Sequence, residues 1–197
     1  MGADPLAQAA GLLSERPETV RAFLAVEIPD LQREALAVYL EGCRAAAPTF
    51  RWVSPESLHL TLRFLGPLDP HRLDALAGAL RSVAVEPFLA GLDGLGTFGR
   101  SRAVRVVWLG LAAGSEELVR LAGEIEGRCA AHGFEPEARP YNPHLTLARS
   151  RQRGGDRLPE LPQPPELTGW TVTRFRLYRS RLGRGGATYS VLEEFGG

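Results

Sequence analysis

The sequence predicts an α+β fold of two pseudo-symmetric lobes, each an antiparallel sheet with outer helices, around a central cleft. Three observations carry this. The tetrapeptide His-Leu-Thr-Leu occurs twice, beginning at His59 and at His144. A proline stands four residues before each copy, at Pro55 and Pro140. Each copy alternates apolar and polar residues with the period of a half-buried strand, and follows a helical segment that itself follows a strand. One continuous sheet with chance repetition is the competing architecture.

The elements follow in order. Residues 21–28, RAFLAVEI, are apolar enough for a buried strand. Pro29-Asp30 opens a helix in which Leu31, Leu36, Leu40 and Cys43 recur at helical spacing. FRWV (50–53) is a short strand closed by Ser54-Pro55, and LHLTLRFL (58–65) an alternating one closed by Gly66-Pro67. Asp69-Pro70 supplies an N-cap and a first-turn proline for the next helix. The order then repeats. Residues 87–98 and 103–111 are strands around a Gly-rich break, and Ser115-Glu116-Glu117 cap a helix that stops at His132-Gly133. HLTLAR (144–149) is a strand, 149–167 a polar Pro/Gly-rich loop, WTVTRFRLYRS (170–180) a strongly alternating strand, and ATYSVLEEF (187–195) a last strand across the GRGG turn.

A chain of 197 residues suits one ordinary domain. Residues 1–19 read as a flexible extension, which leaves 20–197 as the single bilobal domain. The 44% hydrophobic and 23% charged composition is that of a soluble globular protein. The sequence holds no apolar run of about 18 residues and no basic region followed by an apolar one at its start, so neither a membrane span nor a signal peptide is expected. Cys43 and Cys129 are isolated within helical segments and read as reduced thiols, which points to the cytoplasm. The net charge of zero hides an asymmetry: 13 Arg oppose 18 acids up to residue 138, whereas 10 Arg oppose 3 acids from 139 to 184. That basic segment suits a polyanion, and equally a solvated loop. All 23 basic residues are Arg, from which no function is drawn.

In a strand, alternate side chains share a face, so His59 and Thr61 point the same way with α-carbons roughly 6.5–7 Å apart. Leu58, Leu60 and Leu62 point into the core. The same division places His144 and Thr146 opposite Leu145 and Leu147. Packed together, the two lobes bring two imidazoles and two hydroxyls to one spot. Hydroxyls can donate to phosphate oxygens. Histidine, with an ordinary pKa of about 6.5, can donate or accept a proton near neutrality. Two of them flanking one phosphorus suit in-line displacement without a metal. A lone strand histidine would read as structural, but duplication at matched positions argues against that. Zinc is disfavoured because Thr is a poor ligand and no Cys or carboxylate lies beside either motif on the His/Thr face. His71 and His132 read as surface residues, and Trp52 and Tyr141 as packing residues.

The phrases RAFLAVEIP, RWVSPESLHLTLRFLG and RPYNPHLTLAR resemble the two-histidine (2H) phosphoesterases, and within them the LigT-like RNA 2′,3′-cyclic phosphodiesterases, also called 2′-5′ RNA ligases. The resemblance covers roughly residues 21–195. It implies a bilobal fold, no cofactor, no metal, a monomer, and RNA ends bearing 2′,3′-cyclic phosphate, or cyclic nucleotides, as substrates. The product implied is a 2′-phosphate. From the residues alone the two histidines are interchangeable; the resemblance implies that His59 is the proton donor to the departing 3′ oxygen and His144 the proton acceptor from water. It further implies that Thr61, Thr146 and Arg149 bind phosphate and that Phe64 stacks on the terminal base. Strict strand period points Phe64 and Arg149 away from the histidines, so both assignments require a strand end or a bulge. Period places Arg63 on the His59 face, adding charge to the cleft. The alternatives are 2′-5′ ligation through the same site and a non-catalytic nucleotide- or RNA-binding module.

Overall fold

A computed structural model describes residues 19–100, 102–183 and 186–197. The expected extension, apart from Thr19, lies outside the described residues. The elements are β1 (Val20–Glu27), α1 (Asp30–Ala46), β2 (Phe50–Trp52), β3 (His59–Leu68), α2 (Pro70–Leu80), β4 (Phe88–Arg100), β5 (Ala103–Ala113), α3 (Ser115–Ala131), β6 (Leu145–Ser150), β7 (Trp170–Val172), β8 (Arg174–Gly183) and β9 (Gly186–Gly196). A short 3₁₀ turn, Pro55–Ser57, precedes β3.

The strands form one curled antiparallel sheet in the order β7-β4-β5-β6-β3-β1-β8-β9, with β2 beside β6. The lobes are therefore the two halves of this sheet, β3-β1-β8-β9 and β6-β5-β4-β7, joined edge to edge between β3 and β6. Their junction is the pair Leu60↔Leu145, the second residue of each His-Leu-Thr-Leu copy. Duplication and sheet continuity, posed by the sequence as alternatives, hold together.

Burial explains which face is which. The three α-helices among the described residues lay Leu36, Leu40 and Cys43, then Leu73, Leu76 and Leu80, then Leu118, Leu121 and Ile125 against the sheet face carrying Leu24, Leu60, Val107 and Leu145. All of these are buried. The opposite face, bare of helices among the described residues, carries the histidines.

Local signals held with three adjustments, the first being that β3 is not closed by Gly66-Pro67 but runs through both, paired with β1, to Leu68. The Asp69 carboxylate accepts from the Arg72 amide at 2.9 Å, capping α2 as expected. Helix α3 begins at Ser115 but is preceded by Gly114 in the left-handed region (φ 83°), without a side-chain cap. The single strand expected over 170–180 breaks at Thr173: β7 pairs with β4 in one half, and β8 pairs with β1 in the other. The chain crosses between lobes at that residue. Cys43 and Cys129 are both free and buried, and among the described residues no helix is long and apolar enough to cross a membrane.

Candidate active site

The antiparallel pair Leu60↔Leu145 is the local axis of the site. In that register His59 lies across from Thr146, and Thr61 across from His144. The two motifs thus present a crossed His/Thr quartet on one sheet face.

What happens one residue later decides the rest. On β1, Ala25 pairs with Thr61 but Leu24 pairs with Arg63, so Leu62 is an extra residue in β3. On β5, Trp108 pairs with Thr146 but Val107 pairs with Ala148, so Leu147 is the extra residue in β6. Both copies bulge at the fourth residue of the tetrapeptide. A bulge of one residue reverses the parity of everything after it. Phe64 and Arg149, each five residues past a histidine, are brought onto the His/Thr face. Phe64 is 57% exposed, and both line the same cavity as His59, Thr61 and Thr146.

The bulge also corrects one expectation. Arg63 does not share the His59 face. It is turned to the helix side, opposite buried Leu24, and is 8% exposed. There it pairs with Glu126 at 2.8 Å and with Glu137, and donates to the Glu135 carbonyl at 2.5 Å. It adds no charge to the cleft, because the extra residue Leu62 shifts the period that would have placed it there.

Each imidazole is held alike. His59 Nδ1 lies 2.7 Å from the Ser57 carbonyl, and His144 Nδ1 lies 2.8 Å from the Asn142 carbonyl. A carbonyl only accepts, so Nδ1 carries the hydrogen and Nε2 is left as the working nitrogen. Glu27 pairs across the strands with His59, but its carboxylate is engaged by Arg33 and Arg176. Among the described residues no group of three His, Cys, Asp or Glu side chains is placed to hold a metal.

Aromatic rings enclose both histidines. Phe23 lies 4.7 Å from His59, and Tyr189 meets it edge-on at 5.2 Å. Phe98 meets His144 edge-on at 5.1 Å, and Trp108 lies 6.1 Å away. This desolvation is the main reason His59 is pushed down to about 4, the Ser57 carbonyl opposing the shift and the Arg149 charge adding to it. His144 is lowered by the same causes in the same order, with Asn142 supplying the carbonyl. Arg149 lines the cavity with His59 and Tyr189; its charge disfavours protonation of both imidazoles and partly opposes the burial that raises the Tyr189 phenol.

The halves differ in enclosure. Over His59 the β8–β9 hairpin contributes Ser180, Leu182, Ala187 and Tyr189 to a cavity of about 320 Å³. His144 does not line that cavity. Phe23, Phe98, Trp108 and Tyr189 were not singled out from sequence, since their role depends on cross-strand register between distant segments. One local signal existed: Gly96 pairs with Trp108, and any Cβ at Gly96 would run into the indole. Of the remaining residues, Trp52 packs with Nε1 donating to the Ala47 carbonyl at 2.9 Å, Tyr141 is half-buried against the core, His71 is exposed and His132 closes α3.

A sheet face with two mirrored His-x-Thr pairs, matched tautomers and a convergent arginine defines a two-histidine phosphoesterase site. The chain belongs to the 2′-5′ RNA ligase superfamily, whose family model matches residues 31–184. It is 34% identical over 182 residues to an RNA 2′,3′-cyclic phosphodiesterase of Methanothermobacter thermautotrophicus, covering 89% of this chain and 98% of that one. A relative of the same name from Geobacillus stearothermophilus is 32% identical over 164 residues, 81% of this chain but 52% of its own length. Among solved structures, Escherichia coli LigT complexed with 3′-AMP superposes with a TM-score of 0.75 at 31% identity, covering 91% of this chain and 98% of that one.

Proposed function

We propose that this chain hydrolyses the terminal 2′,3′-cyclic phosphate of RNA to a 2′-phosphate, by acid–base catalysis between His59 and His144. The observation that carries this reading is the crossed quartet: two imidazoles with free Nε2 atoms and two hydroxyls, arranged about one local two-fold axis. Thr61, Thr146 and Arg149 donate to the non-bridging phosphate oxygens. Water attacks phosphorus as one Nε2 takes its proton; the P–O3′ bond breaks as the other Nε2 protonates the departing oxygen.

The unequal enclosure supports the division of labour. The cavity beside His59 is lined by Phe64 and suits the ribose and base, which supports the reading of His59 as proton donor to the leaving 3′ oxygen. His144, outside that cavity, suits the water side as proton acceptor. Both imidazoles are predominantly neutral in the ligand-free protein, so the donor acquires its proton with the anionic substrate, whose charge offsets Arg149 and raises the His59 pKa. The enzyme reading also supports cytoplasmic work on RNA ends, and an isolated chain suffices because one chain supplies the whole quartet.

An oligonucleotide ending in 2′,3′-cyclic phosphate, incubated with the protein and EDTA, should yield the 2′-phosphate alone. Formation of the 3′-phosphate, or loss of activity with EDTA, would overturn the mechanism. The openness at His144 favours a second reading: a 5′-hydroxyl can replace water there, forming a 2′-5′ linkage as P–O3′ breaks. Adding a 5′-hydroxyl oligonucleotide to the same assay tests it by the appearance of a joined product. Binding of the cyclic end with no product of either kind would favour a non-catalytic module.

A further inference from the structure

Arg63 and Phe64 stand on the sides their chemistry disfavours. A bulge-free β3 would put Arg63 in the open cleft beside Thr61 and Phe64 against the apolar helix layer. Hydropathy favours that arrangement on both counts. The structure has the reverse, with Arg63 buried and Phe64 exposed. The second motif carries no such conflict. Ala148 occupies the position equivalent to Arg63 and is fully buried, while Arg149 is exposed. There the hydropathy pattern alone selects the bulge.

Something must select it in the first motif, and three acceptors converge on Arg63. Glu126 comes from α3, while Glu137 and the Glu135 carbonyl come from the segment running from α3 to His144. A buried guanidinium whose charge is met by carboxylates is stable even where, as at Arg63 Nε, the contact is an ion pair without hydrogen-bond geometry; the same group without carboxylates is not. We propose that the Arg63–Glu126–Glu137 cluster is the register lock of the first motif, holding the β3 bulge and so keeping Phe64 on the substrate face. Arg63 is then a positioning residue for substrate binding, and the lock is supplied by the segment that carries the other histidine. This rests on the reading of Phe64 as the base-stacking residue.

The lock makes an unusual prediction about rescue. Removing the carboxylates strands a buried charge and drives β3 toward the slipped register. Making residue 63 apolar then restores the bulge, because methionine favours the helix side. A cysteine at position 64 reads the register directly, since the native Cys43 and Cys129 are buried. In Phe64→Cys a thiol reagent should label the new cysteine fast. Adding Glu126→Leu and Glu137→Ala should slow labelling by about tenfold or more as the site is buried, and further adding Arg63→Met should restore the fast rate.

With Phe64 intact, Glu126→Leu/Glu137→Ala should raise the KM for a 2′,3′-cyclic nucleotide as much as Phe64→Ala does, with kcat held, and Arg63→Met should reverse it. A purely structural clamp predicts instead that Arg63→Met worsens the carboxylate variant in thermal stability and activity alike. Unchanged labelling in the carboxylate variant, or no rescue by Arg63→Met, overturns the lock. If labelling responds while Phe64→Ala leaves KM unchanged, the lock stands and the stacking role of Phe64 falls. Should the double carboxylate variant fail to fold, Glu126→Gln is read the same way, and an unchanged rate there overturns the lock.

Discussion

The two copies of His-Leu-Thr-Leu share a local backbone and differ in everything around it. Both donate Nδ1–H to the carbonyl two residues earlier, both bulge at the fourth residue, and both turn the side chain five residues past the histidine onto the working face. Yet the first copy ends on an exposed phenylalanine and the second on an exposed arginine, both lining the cavity beneath the β8–β9 hairpin, which takes in His59 but not His144. The same bulge therefore delivers an aromatic ring to the cavity from one copy and a cation from the other. Symmetry supplies the paired imidazoles; on the proposed function, what breaks it into a base-binding side and a water side is the cavity that takes in His59 and leaves His144 out.

The sharpest way to break this comparison is to remove the shared chemistry. His59→Ala and His144→Ala should each lower the rate by about 10²–10⁴, measured on a cyclic-phosphate oligonucleotide. If one leaves the rate intact, the motifs are not partners. Arg149→Ala should follow at roughly 10–100-fold in kcat/KM, the effect of one charge-assisted phosphate contact of about 1.5–3 kcal/mol. Phe64→Ala should mainly raise KM for a cyclic mononucleotide, by roughly five- to 150-fold for a stacking contact of about 1–3 kcal/mol.

The pH dependence sharpens the same comparison. Depressed imidazoles make kcat/KM, which reports the free protein, peak at lower pH than kcat, which reports the substrate complex where phosphate has raised the donor. Coincident profiles would show that substrate does not move the proton donor. The sign for stability follows from His59 being held near 4 when folded against about 6.5 unfolded. The unfolded chain binds the extra proton, so the melting temperature should fall as pH drops from about 6.5 towards 4, and this histidine should contribute no slope above that window. The smallest effect expected is that of Gly96→Ala, which displaces Trp108 from its cross-strand seat and should alter the His144 titration while leaving that of His59 unmoved, as imidazole NMR would report.

Much of this was legible in the sequence because it is local. Alternation put the leucines inward and the His/Thr pairs outward, and Asp69-Pro70 and His132-Gly133 marked helix ends. The repeated tetrapeptide with its offset prolines announced two equivalent lobes. What could not be read is register between distant strands. The rings at Phe23, Phe98, Trp108 and Tyr189 reach the histidines through pairings that no local period encodes. Arg63 shows the limit most clearly. Alternation assigns it to the cleft, and only the carboxylates of Glu126 and Glu137, more than sixty residues away in the chain, show why it lies on the other side. Conversely, the need for a strand end or a bulge was legible at Arg149, because strict alternation turns it away from His144 and toward the leucine layer.

The crossing at Thr173 has a consequence for how the molecule is made. Both histidines precede it, while the hairpin that roofs the His59 cavity follows it. A ribosome thus extrudes the complete reactive quartet before the wall that gives it a substrate, and β1, the first strand made, waits for β8 to complete its pairing. The nascent chain carries its chemistry early and its selectivity late, so release of the last strands is the event that turns a pair of exposed histidines into a site with an address.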